Sequence, residues 1–256
     1  TTRPSIVVLP FNNMSGDPEQ EYFSDGLTQE MISQLGRLGP QSLEVIGSTS
    51  VMRYKRTDTP VDQIGRELDV GHVLEGSARR EGSRVRITVE LIEVASQTQR
   101  WTENYDRDMS GILALQSDVA QKVAKAIALR LLPAEQARLA GAPSVNAEAY
   151  DAVLKGRYHW GRLTAQEFDT AQRYFELALA EDPSYAPAYA GLAVVWAGRQ
   201  QMGIMPATDA APKWRAAALR ALALDDRSAA GHDALAGYLT WHEWDLAGAE
   251  PLHRKV

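Results

Sequence analysis

The run Ala171-Gln-Arg-Tyr-Phe-Glu-Leu-Ala-Leu-Ala-Glu-Asp-Pro183 restricts the folds open to this chain more than any other stretch. Ala171, Phe175 and Ala178 fall four and three residues apart, so they share one stripe of a helix. Alanine at two of the three positions removes bulk, and a neighbouring helix can close on the single Phe knob. Asp182-Pro183 stops the helix, because proline lacks an N–H and disfavours helical geometry in the residue before it. Ser184 to Ala193 then opens a second helix. A helix–turn–helix unit of this kind buries its apolar stripe only against neighbours. The second half of the chain is therefore expected to be a row of helical hairpins.

The A-x3-F…P spacing resembles the second half of a tetratricopeptide repeat. Asn146 is placed to cap a helix over Ala147 to Trp160, and Gly156 with Tyr158 to Trp160 resembles the small-then-aromatic pattern of a first repeat helix. The turn at Gly161 to Thr164 is longer than the pattern. In the second repeat Tyr189, Leu192, Ala193 and Trp196 fall at the expected places, and Trp214 to Leu224 forms the second helix. Trp214 stands where a small residue is expected and Asp226 where proline is. Met202 to Lys213, with Pro206 and Pro212, reads as a loop that makes this repeat longer than the usual ~34 residues. The third repeat has Leu235, Ala236 and Leu239, then Ala249 opening its second helix. The expectation is about two and a half degenerate repeats over residues 146–256. Trp241 and Trp244 are expected to need cover from other domain contacts or from self-association.

Composition narrows the function. The formal net charge of -6 argues against a general nucleic-acid footprint. With no cysteine there are no disulfides or thiolate metal sites. No apolar run reaches the ~18–20 residues of a membrane helix, so no membrane insertion is expected. Both termini read as cuts in a longer polypeptide.

In the first half, Ser5-Ile-Val-Val-Leu-Pro-Phe11 is a continuous apolar run, as in a strand buried on both faces. Asn12 to Pro18 reads as a loop. Leu27, Met31, Ile32, Leu35 and Leu38 follow helical spacing, with Gly36, Gly39 and Pro40 as the stop. Leu43 to Ile46 is a short strand and Val61 to Leu68 a short helix. Val73 to Arg80 leads through Glu81-Gly82 into the clearest strand, where Val85, Ile87, Val89 and Leu91 alternate with Arg84, Arg86, Thr88 and Glu90. The parity changes after Leu91, which predicts a bulge. Thr98 to Tyr105 is a third strand, and Ile112 to Leu132 a long helix. The order β-α-β-α-β-β-β-α predicts a mixed α/β sandwich ahead of the helical array, an α+β chain overall.

Several of these stretches carry a resemblance. Ile6 to Glu30, Ile64-Gly-Arg-Glu-Leu, Val73-Leu-Glu-Gly-Ser, Val85-Arg-Ile-Thr and Trp101-Thr-Glu-Asn-Tyr-Asp-Arg107 are together similar to the TolB amino-terminal-like domain, over residues 3–133. Residues 134–145, rich in Ala, Gly and Pro, read as the linker. In bacterial proteins that look like this one the domain is followed by tetratricopeptide repeats. It is preceded by a class III adenylate/guanylate cyclase, a winged-helix regulator or a protein kinase. The resemblance implies a regulatory or scaffolding segment of a signalling protein with no activity of its own, and no cofactor.

No motif supplies chemistry. His242-Glu243 lacks the second histidine of a zinc protease, since position 246 is Leu. Gly36-Arg-Leu-Gly39 matches the four letters of a KH loop but reads as a helix stop. Arg79, Arg80, Arg84 and Arg86 cluster on one hairpin, either a solvated face or a patch for an acidic partner. Arg53, Lys55 and Arg56 form a smaller group. The repeat pattern puts Arg157, Trp160, Asp233 and Trp241 on the inner face of the first helices, where this family binds extended peptides. Aromatics and Arg are the residue types that anchor interfaces, although Trp160, Trp196 and Trp241 serve equally as core between repeats. The expected partner is a protein or peptide, in the cytoplasm, with the periplasm as the alternative.

Overall fold

A computed structural model describes residues 3–38, 42–127 and 145–254. The chain divides into two compact units, Thr1–Val145 and Asn146–Val256. The linker read at 134–145, the end of the long helix beyond residue 127, and Gly39 and Pro40 of the first helix stop lie outside the described residues, Val145 excepted.

The first unit is a mixed sheet with helices. Its strands are β1 (Ser5–Val8), β2 (Asn12–Asn13), β3 (Glu44–Val45), β4 (His72–Glu81), β5 (Arg84–Glu93) and β6 (Thr98–Asp108). Its helices are α1 (Glu21–Gly36), α2 (Ser48–Val51), α3 (Val61–Leu68) and α4 (Ile112–Ala126). The sheet runs β3-β1-β4-β5-β6, with β2 beside β4. Strand β1 is parallel to both neighbours, and Ile6, Val7 and Val8 are fully buried, which is why the run is apolar at every position. One side of the β1–β4 region packs Val7, Leu9 and Val73 against Val51, Tyr54 and Ile64.

Strands β4, β5 and β6 form an antiparallel meander. Ala78, Ile87 and Tyr105 lie in one buried row, and the Tyr105 hydroxyl donates to Asp118 of α4 at 2.9 Å. The register shifts between Leu91 and Ile92, where the sequence changes parity; Arg100 is the unmatched residue of β6. Two short elements, one read as loop in the sequence and one not read there, are ordered. Asn12 and Asn13 pair with Ser77 and Ala78, and Ser48–Val51 makes one turn of helix.

The other face of the meander is polar. Glu75 lies directly opposite Glu90, and Ser77 opposite Thr88. Burial, and then the Glu90 charge, push the Glu75 carboxyl above its ordinary value. A carboxyl raised in the folded state leaves stability intact below the unfolded value and erodes it as pH rises. Glu75→Gln is therefore expected to add about 0.2–1 kcal/mol at pH 7, a gain that fades near pH 4. Urea titrations at both pH values check it.

The second unit is helical: α5 (Ala147–Trp160), α6 (Ala165–Glu181), α7 (Ala186–Gln201), α8 (Ala207–Leu224), α9 (Ala229–Tyr238) and α10 (Leu246–His253), with a π turn at Leu239–Glu243. Asn146 caps α5, accepting from the amides of Glu148 (3.0 Å) and Ala149 (2.9 Å). Helix α6 ends at Glu181, ahead of Asp182-Pro183. The loop expected over Met202–Lys213 is shorter than the sequence implied. Helix α8 starts at Ala207 and runs through Pro212. Ala210, Ala211 and Trp214 all bury on one face of it, and that burial outweighs the amide missing at Pro212.

Candidate interaction surface

The hairpins interlock through aromatic knobs and glycine slots. Phe175 of α6 is fully buried between Gly156 of α5 and Gly191 of α7. A methyl added at Gly156 would sit 2.6 Å from the ring, and at Gly191 closer still. Phe168 meets Gly198 in the same way, at 2.8 Å. Trp214 of α8 fills the next joint: its Nε1 donates to the Ala234 carbonyl at 2.8 Å, and its ring meets Tyr238 edge-on. The bulky residue at a position expected to be small is thus a core residue with its polar atom satisfied. These joints hold α5, α7 and α9, the first helix of each hairpin, side by side.

The four sequence-predicted groove residues separate into two kinds. Trp160 is half-buried against the core of the first hairpin, and its Nε1 donates to the Val194 carbonyl at 3.2 Å. It is a packing residue, and Arg157 beside it is half-buried. Asp233 and Trp241 are exposed. Trp196, the other candidate, lies between the Arg199 guanidinium (4.8 Å) and the Lys213 ammonium (4.6 Å). Arg199 is itself buried and bridges Asp169 at 2.5 Å.

His242-Glu243 reads in the sequence as a polar turn between helices, but the form of that turn does not. Helix α9 loosens into the π turn, and Trp244 closes it in the left-handed region at φ 58°. Trp241 is 61%, Trp244 76% and Leu246 65% exposed, a concentration of apolar surface at one turn. His242 packs against Tyr238, with ring centroids 5.1 Å apart, and meets Gln200 of α7 at 3.4 Å, so it is a structural residue of this turn. A bulky residue in the left-handed region costs about 1–2 kcal/mol. Trp244→Gly is expected to raise the stability of the helical unit by about 1 kcal/mol; a lower urea midpoint would contradict this.

The arginine cluster on the β4–β5 hairpin is divided. Arg84 and Arg86 both bind Asp106, the latter at 3.1 Å. Arg79 pairs with Glu81 at 2.6 Å, and Arg80 turns to the other side, donating to the Tyr22 hydroxyl at 2.7 Å. Lys55 and Arg56 are likewise engaged, by Asp25 and Glu21.

The architecture is that of a two-unit chain, a mixed-sheet unit followed by packed helical hairpins. Residues 2–124 match the family described as "HilA/YgeH-like transcriptional regulator, second domain". The chain is 34% identical over 247 residues to "Putative adenylate cyclase 3" of Rhizobium meliloti (strain 1021). That match takes in 93% of this chain and 40% of the relative, so the chain spans well under half of that protein's length. Solved structures with similarity include TolB from Acinetobacter baumannii (16% identity, 50% of this chain and 29% of that chain, TM-score 0.37). Another is lipoprotein GNA1162 from Neisseria meningitidis (17% identity, 49% of this chain and 98% of that chain, TM-score 0.36). The regulator family and the cyclase relative point to a signalling or regulatory role. Among the described residues no helix is long and apolar enough to cross a membrane.

Proposed function

We propose that the helical unit is a tetratricopeptide-like array that binds an extended peptide or protein partner along α5, α7 and α9, and that the chain is a non-catalytic regulatory module of a bacterial signalling protein. The observation that supports this most is the placement of Asp233 on α9 and Trp241 on its turn, both exposed beside two further first helices packed in parallel order. An exposed Trp is a residue type that anchors interfaces, and Asp233 offers a carboxylate on the same helix–turn segment. A cytoplasmic setting goes with this reading. The test is a displayed-peptide selection on the intact chain. Selected peptides should bind Asp233→Arg and Trp241→Ala at least about tenfold more weakly, which corresponds to about 1.4 kcal/mol. Equal binding to wild type and both variants would move the partner elsewhere.

A second reading is favoured by the cyclase relative and the regulator family. In it the chain is the regulatory part of a class III adenylate/guanylate cyclase, or of a winged-helix transcriptional regulator, with the output domain elsewhere in the protein. Incubating this chain with ATP and Mg²⁺ tests the non-catalytic assignment common to both. Cyclic nucleotide above background would overturn it.

A further inference from the structure

Strand β6 is an edge strand. It pairs with β5 over its length, and among the described residues no strand lies on its other side. Eight of its eleven residues are exposed. The opposite edge, β3, is two residues long. Free edges are usually kept short or blunted by charged residues, proline or bulges, because their backbone groups pair with any extended segment. Strand β6 is long and has no lysine or proline. Its bulge at Arg100 leaves the stretch from Trp101 to Asp108 regular, and the charges there, Glu103, Asp106, Arg107 and Asp108, are of both signs and so can match those of a second copy.

We propose that β6 pairs antiparallel with β6 of a second copy, about a two-fold axis at Asn104. A two-fold axis through an antiparallel pair sets one residue opposite itself. Centred on Glu103 or Asp106, it brings two like carboxylates together, which is destabilising. Centred on Tyr105, it sets opposite itself a residue that is buried and tied to Asp118 of α4, so the facing side chains cannot meet. Centred on Asn104, Trp101 faces Arg107, Thr102 faces Asp106 and Glu103 faces Tyr105, and no like charges meet. The Trp–Arg match adds a cation–π contact on each side of the axis. Asn104 is exposed on the polar face, where its side-chain oxygen accepts from the Thr88 hydroxyl at 2.7 Å. Strand pairing alone buries less than the ~1,200 Å² of a standard interface, so the dimer is concentration-dependent.

The native chain has no cysteine, so an introduced one reports cleanly. Directly opposed residues have Cα atoms about 4.5–5.5 Å apart, within disulfide range. Full-length Asn104→Cys should form a covalent dimer on mild oxidation, and Leu177→Cys, exposed on α6, should not. By sedimentation, Asn104→Glu and Asn104→Lys should each be monomeric where wild type dimerises, and an equimolar mixture should dimerise again. A wild type that stays monomeric at all concentrations overturns the proposal. So does a charge-variant mixture that fails to associate, or equal crosslinking of both cysteine variants.

Discussion

Phe175→Ala will lower the stability of the helical unit by about 3–5 kcal/mol, the upper range for a buried aromatic. The expectation is high because the helix faces that close directly on the ring have no side chains with which to fill the space it leaves. Its neighbours across the joint are Gly156 and Gly191, which have no side chains to move inward. Ala171 and Ala178, one turn either way on α6, are equally unable to reach. The loss depends on how far a site relaxes, and here relaxation would require whole helices to shift. Chemical unfolding followed by far-UV circular dichroism measures it. The opposite substitution supports the same lock. Gly191→Ala gains about 1 kcal/mol of helix propensity but drives a methyl into the ring, so a net loss of about 1–2 kcal/mol is expected once overpacking is counted. A Phe175→Ala loss below about 1.5 kcal/mol, well short of the usual range, would mean that the glycine slots do not hold the ring tightly.

That lock was legible in the sequence because every part of it is local or periodic. Ala171, Phe175 and Ala178 announce one stripe, and Gly156 and the small residues near Gly191 mark where a helix can approach. The meander was legible for the same reason: Val85 to Leu91 alternate, and the parity break located the bulge. What could not be read depends on residues distant in the chain. Asn12 and Asn13 become a strand only because Ser77 and Ala78 lie alongside. Two prolines in Met202–Lys213 argued for a loop, but the burial of Ala210, Ala211 and Trp214 carried the helix through Pro212. The candidate groove shows the limit most clearly. Trp160 and Trp241 are the same residue type at related repeat positions. One is held by the Val194 carbonyl and the other faces solvent. Nothing local to either separates a core tryptophan from an exposed one. Nor did any local signal foretell the π turn, or the left-handed Trp244 that closes it.

The Lys55 cluster is the clearest case of chemistry set by distant partners, and the second large effect is expected there. Lys55 Nζ lies 2.6 Å from Asp25 and 2.9 Å from Glu21, which also binds Arg56 at 3.1 Å. Both carboxylates are nearly buried, at 14% and 11% side-chain exposure, so they depend on this lysine. Burial raises the Asp25 carboxyl despite Lys55, whereas for Glu21 burial is outweighed by Lys55, Asn13 and Arg56 and the carboxyl is lowered. Removing one partner from a buried pair costs about 3–5 kcal/mol. Lys55 keeps a quarter of its side chain in solvent, and water offsets part of the loss, so Lys55→Met should cost about 2–3 kcal/mol at pH 7. The pH dependence identifies the cause. Without Lys55 both carboxyls rise above their unfolded values. Groups raised in this way leave stability whole below the unfolded carboxyl range and withdraw it as pH climbs. The deficit should therefore be small near pH 4 and complete by pH 7, and Lys55→Arg should recover most of it. Urea titrations across that range decide the matter. A deficit independent of pH would place the effect in lost packing of the lysine stem and remove the ion cluster from the account of how α1 is anchored.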